Sequence, residues 1–180
     1  MAAKKAKASA AYQPAYEYLK ASLSLLLKDS WKTHYDLTLA IHLEAAEIAY
    51  LCTNFEQTKN ITAIAMEQAR SLEDKIKIYE INIQSASSQN EFKASINLAL
   101  EALNLLGFYL PKHPSKLQLA LALLKIRIAL AFKSSSQLID LPIMTDANTI
   151  AAMNIMTTVK TAAYVINPQL LFLMTLISCL

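Results

Sequence analysis

Apolar residues recur along this chain at helical spacing, and the sharpest case lies between Trp31 and Cys52. Placed at about 100° per residue, Leu37, Ile41, Ala45, Ile48 and Cys52 form one apolar row. Leu39, Leu43, Ala46 and Tyr50 form a second on roughly the opposite side. A helix with two opposed apolar faces has to be covered twice. The inner helix of a stacked hairpin array meets that need, packing on its own partner and on the next repeat.

Local punctuation divides the rest of the chain into further helices. Pro14 fits the first turn of a helix reaching about Leu27, and Asp29-Ser30 offers an N-cap for the next, from Trp31 to Cys52. Asn54 precedes a third, from Phe55 to about Arg70. Ser71, with Asp74 three residues on, makes a variant capping box for a fourth that reaches about Ser87. Asn90 starts a fifth, and Gly107 is its expected C′ residue. The prolines at 111 and 114 make 108–114 a connector. A sixth helix is expected from about Ser115 to Phe132, then a break at Ser134–Ser136, a single turn over Gln137–Leu141 and a loop over Pro142–Thr145. Asp146 caps a seventh helix to about Ile166, and Pro168 opens the last. This pattern predicts an all-α chain of about eight helices: hairpin repeats over 1–107, the connector 108–114, and further hairpins over 115–180.

The third and fifth helices repeat one another. Phe92 lies 37 residues after Phe55, and at that offset Ile61 falls on Leu98, Ala65 on Ala102 and Met66 on Leu103. Periods of this length belong to helical hairpin repeats. The order polar-aromatic-x-x-small, followed by small-large, resembles the second helix of a tetratricopeptide motif. Its usual turn glycine is replaced by Thr53 and by Gln89 or Asn90, and the terminal proline is missing. The expected fold is thus a tetratricopeptide-like α-solenoid of antiparallel hairpins, in degenerate form.

Composition supports the helical reading. The chain has 180 residues, 54% hydrophobic and 17% charged, with one glycine. Sheets and phosphate-cradling loops normally need more glycine than that. The 17 basic and 14 acidic residues give a net charge of +3 and are spread along the chain, without the basic stripe that grips nucleic acid. Two cysteines far apart, neither in a Cys-x-x-Cys pair, suit a reducing cytoplasm. The first residues lack the apolar core of a secretory signal. The apolar run Gln169–Leu180 is only twelve residues long, short of the ~20 needed to span a bilayer. It reads as a core helix cut short, so the chain is expected to be a fragment or a shortened product. Apolar edges at uncapped ends would then favour self-association.

His42, Glu44, Glu47 and Cys52 within one helix raise the question of a metal or acid–base site. His42 and Glu44 lie about 200° apart around the helix, so they cannot share one ion. Glu44 and Glu47 are neighbours but need ligands from another helix. His-x-Glu opens the deaminase signature, whose Pro-Cys-x-x-Cys partner is missing. Glu44 falls within an apolar row, where it needs a partner such as Arg70, Lys75 or a tyrosine, or else a ligand. His34 and His113 have nothing to orient them as bases. Trp31 is expected to be a core anchor, and the methionines at 144, 153, 156 and 174 to fill the interior. No Gly-x-Ser-x-Gly, phosphate loop, kinase signature or His-Glu-x-x-His occurs. No catalytic, cofactor-binding or metal-binding residue is assigned, no cofactor is expected, and the interacting residues stay open.

Several segments carry a family resemblance. They include Ala15-x-x-Tyr18-Leu19, Trp31-x-x-His34-Tyr35-x-Leu37, Glu44-Ala45-Ala46-Glu47-x-Ala49-Tyr50, Asn54-Phe55, Ala69-Arg70, Asp74-Lys75-Ile76-Lys77-Ile78-Tyr79-Glu80, Leu105-Leu106-Gly107 with Leu110-Pro111, and Leu141-Pro142-x-Met144-Thr145-Asp146. Together they resemble the helical region of large bacterial multi-sensor signalling proteins. In those, a serine/threonine kinase domain and an AAA- or STAND-type ATPase domain precede a long helical region, commonly followed by a GAF sensor and a histidine kinase. The resemblance covers nearly the whole chain and departs from the pattern in lacking Gly before Asn54. It implies a cytoplasmic, non-catalytic scaffold or sensor arm contacting neighbouring kinase or ATPase domains or a signalling partner protein, with no nucleic acid and no stable membrane span. A free-standing adaptor that binds a peptide or helix shares these features. A helical enzyme and a tail-anchored membrane protein are the remaining alternatives.

Overall fold

A computed structural model of the chain describes residues 9, 11–27, 29–131 and 145–178. These residues form ten helices: α1 Tyr12–Ser24, α2 Ser30–Thr33, α3 Tyr35–Leu51, α4 Phe55–Gln68, α5 Leu72–Ser88, α6 Phe92–Leu105, α7 Lys116–Ala131, α8 Ala147–Thr158, α9 Lys160–Ile166 and α10 Pro168–Ile177. The described residues contain no strand, and adjacent helices pack on one another.

The count exceeds the expected eight because two helices are interrupted. His34 leaves helical geometry (φ −137°, ψ 51°) and separates α2 from α3. Val159 (φ −88°, ψ −2°) separates α8 from α9. At the first break the His34 carbonyl accepts from both the Thr38 amide (3.0 Å) and the Thr38 hydroxyl (2.9 Å), so α3 starts afresh there. Asp29 stands ahead of α2, but its side chain caps nothing. The first helix ends at Ser24, three residues earlier than expected, and leaves Leu25 and Leu27 exposed. The break expected at 134–136, the turn at 137–141 and the loop through 144 fall outside the described residues.

Several other helix ends are set by residues that the sequence marks. The start of α6 is not, since its N-cap is Glu91, whose side chain makes no cap bond, while Asn90 sits in the turn before it. Ser71 and Asp74 form a reciprocal box: the Asp74 amide donates to Ser71 Oγ (3.1 Å), and the Ser71 amide to Asp74 Oδ2 (3.0 Å). Ser115 and Gln118 repeat the arrangement at the start of α7. The side chains of Asn54, Asp146 and Asn167 accept from the amide three residues on, and Pro168 occupies the first position of α10. Gly107 (φ 90°) closes α6, with the Phe108 amide reaching back to the Leu103 carbonyl at 2.8 Å.

The 37-residue period extends well beyond the aligned residues. α3 and α5 each span 17 residues, α4 and α6 each span 14, and both ends of each pair are offset by 37. The turns match as well. Thr53 and Asn90 both adopt φ 59°. After them, the Asn54 amide donates to the Ala49 carbonyl (2.8 Å) and the Glu91 amide to the Ala86 carbonyl (2.9 Å). The missing turn glycine is thus replaced by Thr53 and, of the two candidates, Asn90. Small residues recur at the same places: Thr58, Thr62 and Ala65 in α4, and Ser95, Ala99 and Ala102 in α6, are all buried. Small side chains at these positions let helix backbones approach closely, while a bulky one would hold them apart.

The chain divides into two compact units, 1–85 and 86–180. In the first, α3 packs on both α1 and α4. Ala15, Tyr16 and Leu19 of α1 meet Ala45, Ala46, Ile48 and Ala49, together with Ile61 and Ile81. A smaller cluster joins Leu39, Ala65 and Ile78 beneath Trp31 and Tyr35. The double covering expected of α3 is therefore present, with one exception: Leu37 is 60% exposed. It lies in the first turn after the His34 break, between Tyr35, which packs on the smaller cluster, and the buried Thr38. Ile48 and Ile78 are fully buried, each a contribution of about 2–3 kcal/mol. In the second unit α6 packs on α8 and α9, and α10 packs on α7 and α9. Leu103, Ile155, Met156, Val159, Leu170 and Met174 are buried there. The proline connector is tied down by Asn167, whose Nδ2 donates to the Lys112 carbonyl at 2.6 Å.

Candidate functional site

The chemistry-bearing residues of α3 are distributed to three places by the helix itself. His42 and Cys52 are ten residues apart, about 15 Å along the axis. His42 is buried, and its Nδ1 donates to the Thr38 carbonyl one turn back, at 2.8 Å. Its ring lies against Trp31 with centroids 4.6 Å apart. Burial lowers the His42 pKa and the carbonyl bond offsets this only in part, so the ring is neutral at pH 7. It packs as a core aromatic.

Cys52 lies at the other end, packed against the α1 core. Burial and then the nearby Glu17 carboxylate raise its pKa, which leaves the thiol protonated and weakly nucleophilic. The same two causes, with Cys52 itself, raise that of Tyr16. Glu44 and Glu47 face a third place, a cleft of about 290 Å³ lined also by Leu43, Lys77, Glu80, Ile81 and Gln84. Lys77 pairs with Glu73 at 2.6 Å. Burial raises the pKa of Glu80, opposed by Lys77.

Arg70, a candidate partner for Glu44, is engaged elsewhere. Its guanidinium lies 4.0 Å from the Tyr35 ring centroid, and its Nη2 donates to the Trp31 carbonyl at 2.5 Å. The Tyr35 hydroxyl accepts from the Arg70 amide (2.9 Å) and donates to Asp74 Oδ2 (2.7 Å). Trp31, Tyr35, Arg70 and Asp74 thus form one latch that holds the start of α3 to the turn between α4 and α5. Desolvation raises the Asp74 pKa, but hydrogen bonds from Tyr35, Ser71 and Arg70 outweigh it and leave the carboxyl below its usual value. The expectation that Trp31 anchors the core holds, through the rings of Tyr35 and His42 and the cluster beneath. The latch was not legible in advance, because its members are 35 and 39 residues apart in sequence. Its one local signal was the Ser71-Asp74 box.

His34 is the exposed break residue before α3, and His113 is exposed in the connector. Among the described residues, no group of three or more His, Cys, Asp or Glu is arranged to hold a metal ion. None of the described helices is long and apolar enough to cross a membrane. Two further clefts are lined by described residues. One of about 370 Å³ lies between α1 and α4, lined by Gln13, Tyr16, Glu17 and Gln57 among others. The other, about 580 Å³, runs along Leu100, Glu101 and Asn104 beneath Tyr109-Leu110-Pro111. Compared with protein-family models, with curated proteins and with solved structures, the chain has no match.

Proposed function

We propose that this chain is a non-catalytic helical repeat segment of a multidomain signalling ATPase and kinase, acting as a protein-interaction scaffold or regulatory arm. The observation that carries the proposal is the 37-residue period, expressed in two helix pairs of equal lengths with left-handed turn residues at equivalent positions. Repeats of this kind stack into tetratricopeptide-like solenoids, whose surfaces contact other proteins. In the signalling setting, a partner that binds one arrangement of the repeats better than another would shift the balance of an adjoining nucleotide switch by that difference in affinity. The polar side chains described above fit a scaffold: His42 is packed neutral in a core, Cys52 is a protonated thiol, and Asp74 and Arg70 join helices.

The test is made on the whole reading frame in which the segment lies. Residues 35–105 are removed, and ATP hydrolysis and phosphotransfer are measured with and without stimulus. Altered coupling of stimulus to output supports the proposal, and unchanged output refutes it. A reading frame with no nucleotide-binding motif also refutes the multidomain setting and replaces it with a free-standing adaptor.

A further inference from the structure

The helix α7 has the sequence KLQLALALLKIRIALA and is apolar on two opposed sides. Leu119, Ala122 and Ile126 form one side and are partly buried, as expected for a helix packed on α10. Leu117, Leu121, Leu124 and Ile128 form the other, and they are 69%, 51%, 53% and 51% exposed. Their spacing of four, three and four residues is that of a coiled-coil seam, and it runs for about 16 Å. Cations border the seam on both sides. At about 100° per residue, Lys125 falls on one shoulder and Lys116 and Arg127 on the other. Residues 112–131 contain no carboxylate.

We propose that this face of α7 docks an amphipathic helix of a partner protein, one that carries leucine or isoleucine at matching three-four spacing with glutamate or aspartate on its shoulders. The spacing supplies knobs for a facing helix, and the shoulders select its charge. A second copy of the chain is a poor occupant. Parallel or antiparallel, its α7 would bring lysine and arginine against lysine and arginine. A bilayer surface would select for cations alone, whereas the three-four spacing of the seam also fits a facing helix, and Leu123, 41% exposed on the Arg127 side, lies outside that seam. The inference rests on reading the chain as an interaction scaffold, but its test needs no ATPase or kinase domain, so the two can fail separately.

The experiment titrates the whole chain with two helical peptides of about three heptads, both with leucine at the seam positions, one flanked by glutamate and one by lysine. The glutamate peptide should bind at least about tenfold more tightly at low ionic strength, with the ratio shrinking in about 0.5 M salt. The Lys125→Glu/Arg127→Glu double variant should reverse the preference. Leu121→Gln/Leu124→Gln, changing two exposed side chains, should keep the circular dichroism of the parent and weaken binding about tenfold or more. Equal affinity for the two peptides, no binding of either, or binding unchanged in the glutamine variant overturns the proposal. So does a self-associated chain that the glutamine variant disperses, which assigns the seam to a second copy. Seam-dependent sedimentation with phosphatidylserine vesicles without peptide binding overturns it in favour of a membrane surface.

Discussion

Replacing Thr53 by glycine should stabilise the first unit. Thr53 is held at φ 59° in the turn between α3 and α4. An L-residue there costs about 1–2 kcal/mol relative to right-handed backbone, and a β-branched one is a poor occupant. Glycine removes that cost but adds about 0.4–1 kcal/mol through the greater freedom of its unfolded chain. The substitution also removes an exposed hydrogen bond from Thr53 Oγ1 to the Cys52 carbonyl (2.7 Å), worth a few tenths of a kcal/mol because water replaces it. The balance is a gain of about 0.5 kcal/mol, or roughly 2–4 °C in midpoint temperature for a unit of this size. Trp31 is the single tryptophan and packs in this unit, so its emission during urea unfolding reports the relevant transition. Asn90 occupies the equivalent turn at the same φ, but asparagine tolerates that backbone, and Asn90→Gly should change stability by only a few tenths of a kcal/mol. Gly107→Ala is the converse control. Its φ is 90° and no atom beyond its chain neighbours lies within 4 Å of an added Cβ, so the expected loss of about 1 kcal/mol, followed by circular dichroism, comes from backbone conformation. A Thr53→Gly protein that unfolds at lower urea than the parent, with unchanged slope, refutes the argument that the turn holds threonine against its preference.

Three further outcomes are expected. Because burial lowers the His42 pKa below 6.5, its contribution to stability is full above pH 6.5 and is lost as pH falls toward the folded value. Trp31 emission should therefore stay constant from pH 8 down to about 6.5 and be quenched only below it, and His42→Phe should abolish that step. Asp74, held below its ordinary 3.8, supplies stability that is present above that pH and declines below it; Asp74→Asn should cost about 1 kcal/mol at pH 7 in urea unfolding and flatten the acid limb. Ala65→Leu should overpack a buried position of α4 and cost about 1–3 kcal/mol, whereas Ala63→Leu on the exposed side of the same helix should stay within about 0.5 kcal/mol by the same assay.

What the amino-acid sequence determined by itself is what short-range forces decide. Helical class follows from apolar periodicity. Helix ends follow from side chains that reach an amide three residues away, as at Ser71, Asn54 and Asp146, or from a residue suited to left-handed backbone, as at Gly107. The 37-residue repeat was visible in α4 and α6 because small residues had to recur wherever helices pack closely. Tertiary structure decided the rest. The breaks at His34 and Val159 carry no proline or glycine, so local preference gave no sign of them. Arg70 could have paired with Glu44 by charge alone, yet the fold brought it over Tyr35, a residue 35 positions away. Leu37 continues an apolar row but has no covering helix, and α7 shows two apolar sides of which packing covers one. Periodicity states that a face is apolar; only the positions of other helices state whether it is covered, because burial depends on residues far away in the chain.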